Sequence, residues 1–101
     1  MDRNRKAAYQ TLIRVIRDHA YVNIEAGRQI DRCKADSPAF TRELVYGTMQ
    51  HWLYLDYLLE QLVSRGYRKL KPQVNVLLHM GAYQILFMDS VPDYAAVNGF
   101  A

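Results

Sequence analysis

The side chains best placed to do chemistry in this 101-residue chain are its thirteen lysines and arginines, set against ten aspartates and glutamates for a net charge of +3. They are unevenly spread. Met1 to Ala35 holds eight basic and four acidic residues (+4), whereas Asp36 to Ser64 holds one basic and four acidic (−3). The short run Arg65 to Lys71 adds four basic residues and no acid (+4), and Pro72 to Ala101 carries −2. Arg3, Arg5 and Lys6 open the first basic block; Arg65, Arg68, Lys69 and Lys71 make up the second. Each cation set against a phosphate releases condensed counterions, so such clusters favour nucleic acid with strong salt dependence. Tyr9, Tyr67 and Tyr83 would add stacking faces for unpaired bases wherever they are exposed. On a small helical domain, however, a charge run is more often a solvated face.

Other chemistries find little support. Cys33 is the single cysteine and has no partner for a disulfide within the chain, which makes a reducing, cytoplasmic setting the expected one. His19, His51 and His79 lack the close His, Cys, Asp or Glu spacing of a zinc site, so no metal is expected. Asp89 and Asp93 flank a proline-containing turn, and Glu25 with Asp31 is not at a one-face helical spacing, so no carboxylate pair is set up for acid–base catalysis. Met49, Met80 and Met88 read as core fillers. The polar, basic start Met1 to Lys6 is followed by no continuous apolar run and is not a signal peptide. Val74 to Met88 is the most apolar stretch, but it contains Asn75, His79 and Gln84 and falls short of the roughly 20 apolar residues a membrane span needs, so it reads as a buried helix.

Helical periodicity supplies the elements that must carry these residues. Ala8, Leu12, Val15, Ile16 and His19 line one face of a first helix, and Arg3, Lys6, Gln10, Arg14 and Arg17 line another. A second, less regular helix spans about Asn23 to Cys33. Ser37 followed by Pro38 signals a helix start, a serine cap before a proline in the first turn. From there Phe40, Leu44, Thr48, Trp52, Leu55, Leu59 and Leu62 form a seam at steps of three and four, predicting a long central helix that ends near Gly66, kinked or broken around Gly47. This helix is expected to be the core axis. A glycine-punctuated basic connection, Ser64 to Lys71, precedes Pro72, which opens the next helix, and a break at Ser90-Val91-Pro92 precedes a last helix that runs out at Ala101. No alternating strand pattern or internal repeat is present. The expected architecture is an all-α bundle of about five helices in one domain, residues 1–101, with the last helix cut short.

The opening Arg3-Asn4-Arg5-Lys6-Ala7-Ala8-Tyr9-Gln10-Thr11-Leu12 is similar to the arginine-rich first helix of NusB-like proteins. Glu43-Leu44-Val45-Tyr46-Gly47, Leu55-Asp56, Gly81-Ala82-Tyr83-Gln84 and Val91-Pro92-Asp93-Tyr94-Ala95-Ala96-Val97-Asn98 follow in that family's order. The Tyr46-Gly47 phrase and Gly81 to Met88, followed by Pro92 to Asn98, look closer to the amino-terminal domain of the RsmB (Sun/Fmu) 16S ribosomal RNA cytosine-C5 methyltransferases than to free NusB. The resemblance implies a NusB-like fold that helps engage small-subunit ribosomal RNA. It also implies a separate C-terminal methyltransferase domain, absent here, that binds S-adenosylmethionine. The alternative it leaves open is a free transcription antitermination factor that binds RNA together with a small-subunit ribosomal protein. Arg3, Arg5 and Lys6 match the basic start that free NusB uses on RNA; Arg65, Arg68, Lys69 and Lys71 are candidates on electrostatic grounds alone. With no glycine-rich cofactor loop and no Pro-Cys pair, Cys33 does not inherit the nucleophile's role, and neither a catalytic residue nor a bound cofactor is expected in this segment.

Two departures stand out. Gln50 occupies a position where relatives of this type commonly have arginine, and Gly99-Phe100 replaces an acidic and a small residue expected after Asn98. Among single residues, Asp56 is read as a salt-bridge or interhelical polar contact, Tyr83 and Gln84 as core packing with a hydrogen-bonded polar tip, and Asp93 and Asn98 as capping or turn residues.

Overall fold

The structure, a computed structural model, describes residues 1–63 and 65–88. These form α1 (Arg3–Asp18), α2 (Val22–Cys33), α3 (Pro38–Gln50), α4 (Trp52–Val63), a 3-10 turn (Tyr67–Lys69), α5 (Pro72–Tyr83) and a π-helical turn (Gln84–Met88). Five α-helices and no strand among the described residues make the all-α bundle that the periodicity predicts. The expected break at Ser90-Val91-Pro92, the helix after it, and the capping roles of Asp93 and Asn98 lie outside the described residues.

Local chemistry fixes most of the helix starts. The Asp2 carboxylate accepts the Arg5 N–H at 2.8 Å to cap α1, and the Ser37 hydroxyl accepts the Phe40 N–H at 3.1 Å to cap α3, with Pro38 in its first turn. Pro72 likewise stands in the first turn of α5, which has no side-chain cap. The ends of α1 and α2 are less ordinary: His19 (φ 57°) and Lys34 (φ 55°) adopt the left-handed conformation that usually falls to glycine.

The core is built on α1, which packs against α2, α3 and α5, and its buried cluster includes Ala8, Leu12, Ile13, Leu44, Val45, Leu55, Val76, Met80 and Tyr83. Four expectations are corrected. The inward face of α1 is Ala7, Ala8, Thr11, Leu12 and Ile13, while Val15 is half-buried and Ile16 and His19 are exposed, Ile16 at the edge of open hollows that it shares with Met49, Trp52 and Pro72. The long central helix is two helices broken at His51, not at Gly47. At His51 the backbone leaves helical geometry (φ −103°, ψ 17°), while its N–H and its ring Nδ1 both lie 3.0 Å from the Gly47 carbonyl oxygen. Nor is that pair the axis: Leu53, Tyr54, Tyr57 and Leu62 of α4 are exposed, Leu62 at 80% although it belongs to the predicted seam. The apolar stretch Val74 to Met88 is buried on one face only, leaving Val74, Leu77, Ile85, Leu86 and Phe87 exposed.

The phrases that carry the family resemblance meet in space. The Tyr83 ring lies against the backbone of Gly47, where an added Cβ would come within 2.0 Å of it. Arg5 donates from Nε to the Gln84 side-chain carbonyl at 3.0 Å, and the Asn4 side-chain Oδ1 accepts the Ser37 N–H at 2.9 Å. These contacts tie the start of α1 to the start of α3 and to the end of α5.

Candidate nucleic-acid interface

The two basic clusters are held at opposite ends of α1. Arg5, in its first turn, reaches Gln84 beyond the end of α5, whereas Ile16, in its last turn, borders a hollow shared with Pro72 and Asn75 at the start of α5. The two helices therefore run antiparallel, and about 16 Å of helix separates Arg5 from Ile16. A strand touching both clusters has to follow the α1–α5 pair along its length.

At the first cluster the three candidate cations are not equivalent. Arg3 is exposed, with Asp36 at 3.8 Å across solvent, a pair of little energetic weight. Arg5 is engaged by the Asp2 carboxylate and Gln84 and lies 5.2 Å over the Phe40 ring, so it works mainly as a fastener. Lys6 is exposed and lines a groove of about 190 Å³ between α1 and α2 with Gln10, Gln29, Arg32 and Cys33. Arg32 is a cation of this groove that sequence reasoning did not single out. Its signal was its place on the second helix, whose apolar pattern was too irregular to orient.

At the second cluster, Arg65, Lys69 and Lys71 are exposed on the connection between α4 and α5. Arg68 is different: it pairs with Asp56 at 3.2 Å and with Glu60, and lies 5.5 Å over the Tyr67 ring. Asp56 is the hub. It accepts the Tyr67 hydroxyl at 2.6 Å, and the fully buried His79 presents Nε2 to it at 3.7 Å. The Tyr67 hydrogen bond, aided by Arg68 against the opposing effect of burial, holds the Asp56 carboxyl below its ordinary range. Burial, followed by the bond to Asp56, pushes Tyr67 up to about 12. Burial lowers His79, opposed by its hydrogen bond to the Asn75 carbonyl and by the Asp56 charge. The reading of Asp56 as an interhelical polar contact is thus the observed one. Tyr67 and Tyr83, at 3% and 7% exposure, are core residues, as the sequence reading of Tyr83 had it, and offer no stacking face; Tyr9 is half-buried.

Of the thirteen cations, Arg3, Arg5, Arg28 and Arg68 stand in ion pairs, and the other nine have no carboxylate within 4 Å among the described residues. Lys6, Arg14 and Arg17 lie along the outer stripe of α1, and Gln50 sits exposed at the end of α3. Among the described residues, no three His, Cys, Asp or Glu side chains gather where a metal could bind, and no helix is long and apolar enough to cross a membrane.

The family model for the NusB family matches residues 2–100. The chain belongs to the NusB family. Its curated relatives include a probable ribosomal RNA small subunit methyltransferase B from Bacillus subtilis, 32% identical over 93% of this chain and 21% of that protein. A protein of the same description from Synechocystis is 33% identical over 93% of this chain and 22% of its own length. The transcription antitermination protein NusB of Symbiobacterium thermophilum is 36% identical over 66% of this chain and 44% of that protein. This NusB-family chain therefore spans about a fifth of the length of the methyltransferases it matches. No solved structure matches it.

Proposed function

We propose that this chain is a one-domain, NusB-like RNA-docking module of an S-adenosylmethionine-dependent ribosomal RNA (cytosine-C5) methyltransferase. It would bind small-subunit ribosomal RNA and present it to a methyltransferase domain carried elsewhere in the same cytoplasmic protein. Support comes from the small-subunit methyltransferases among its relatives, matched over 93% of this chain. The observation that carries RNA contact is the row of cations along α1, Lys6, Arg14 and Arg17, with Arg32 across the groove, left without acidic partners among the described residues. Arg3, Arg65, Lys69 and Lys71 extend the same field, while Arg5 and Arg68 serve by holding the two ends in shape. Asp56, Tyr67 and His79, whose pKa values are displaced, serve a polar network that joins α4, the connection and α5.

The match to the antitermination protein favours a second reading, a free factor that binds RNA beside a small-subunit ribosomal protein. Titrating the chain with a small-subunit ribosomal RNA hairpin, with and without the ribosomal protein, over a range of salt separates the two. The docking reading expects salt-sensitive binding that needs no protein partner. Binding only when the ribosomal protein is present would favour the second, and no binding under any condition would remove both.

A further inference from the structure

We propose that the hollow beside the Arg65 to Lys71 connection receives one unpaired nucleobase of an RNA strand, an inference that rests on the RNA-docking reading above. The hollow has a volume of about 340 Å³ and opens to solvent, and its lining includes Ile16, Trp52, Asp56, Arg68, Leu70 and Asn75. That is small-ligand size, and the mixture of groups fits a base more closely than an apolar ligand or a bare phosphate. Readers of unpaired RNA stack bases on aromatic rings or guanidinium planes and hydrogen-bond their edges. Here both kinds of surface are fixed before any ligand arrives. Trp52 is stacked on the fully buried His79 ring at 3.6 Å and 8° between planes, so the indole cannot turn freely. Arg68 is held by Asp56 and Glu60. The Asp56 carboxylate offers an acceptor for an exocyclic amine, and the Asn75 amide offers both a donor and an acceptor. Arg65, Lys69 and Lys71 stand exposed on the adjoining connection, where the flanking phosphates of a splayed-out nucleotide would lie.

The groove between α4 and α5 is the instructive contrast. It is of similar size, about 370 Å³, but Leu59, Leu62, Leu77, Leu78, Ile85 and Leu86 line it and give a base nothing to hydrogen-bond.

Trp52 is the only tryptophan in the chain, so intrinsic fluorescence reports on the hollow directly. The test titrates the 101-residue protein with a short single-stranded oligoribonucleotide and with an abasic strand of equal length and charge, at one salt concentration. The base-bearing strand is expected to quench Trp52 and to bind about 5- to 150-fold more tightly, the range stacking of a base on an aromatic ring supplies. Ile16→Phe, which fills the mouth from an exposed position, and Asn75→Ala are each expected to bring it back towards the abasic level, with the melting curve checking the fold. Equal affinity for the two strands with unchanged fluorescence, or a base preference that survives both substitutions, overturns the pocket and leaves RNA docking standing. Failure of both strands to bind overturns the docking reading as well.

Discussion

Asp56 shows how one carboxylate can organise the end of the molecule. Its partners come from two places in the chain: Tyr67 and Arg68 in the connection, and His79 in α5. Tyr67→Phe keeps the ring in the core and removes the one short bond to this carboxylate, so a loss of about 1–2 kcal/mol in urea-unfolding stability is expected. His79 gives a pH signature. Its folded pKa is lowered, mainly by burial, so between that value and the unfolded value near 6.5 the unfolded chain binds more protons than the folded one. Stability should therefore fall as pH drops below about 6.5 and level off once the folded imidazole is protonated too. Comparing urea midpoints at about pH 7 and pH 5 checks this, and His79→Gln should flatten that part of the profile whatever it does to the midpoint at neutral pH. The sequence identified Asp56 as a polar contact. It did not show that Tyr67 and His79 converge on it, because helical periodicity reveals which residues share a face and not which faces meet.

At the scale of elements, the two glycines of the resemblance phrases make a matched pair. Gly47 lets the Tyr83 ring approach the α3 backbone, and alanine there would drive Cβ into a buried, rigid ring; Gly81, on α5, has nothing within 4 Å of an added Cβ. Gly47→Ala should cost about 1–3 kcal/mol by overpacking, and Gly81→Ala should gain about 0.5–1 kcal/mol through helix propensity, both read from denaturant midpoints. Helix starts were legible because serine and proline announce them at Ser37-Pro38 and Pro72. Helix ends were legible only in part: α2 ends at Cys33 as the pattern indicated, but His19 and Lys34 take the left-handed position in place of glycine, and the break at His51 is a local backbone turn (φ −103°, ψ 17°) that no apolar spacing encodes. The seam from Phe40 to Leu62 ran through that break and so assigned Leu62 to the core.

Across the whole molecule, charge and apolar surface are segregated. Cations follow α1 and gather at the connection before α5, while the outer faces of α4 and α5 and the turn that follows expose Leu53, Tyr57, Leu62, Ile85 and Leu86. The basic clusters were plain in the sequence. Their division into engaged and free cations was not, since it depends on Asp2, Gln84, Asp56 and Glu60 being brought to them by the fold. That division yields the most direct test of the claim that free cations on α1 dock RNA. Binding of a small-subunit ribosomal RNA hairpin should be measured across a salt series for the unaltered chain, Lys6→Ala with Arg17→Ala, and Gln50→Ala as a neutral exposed control. The double substitution should weaken binding and flatten the slope of log affinity against log salt by about 0.7–0.9 for each phosphate that is no longer neutralised, and the control should change neither. A slope and affinity untouched by removing Lys6 and Arg17 would contradict the account.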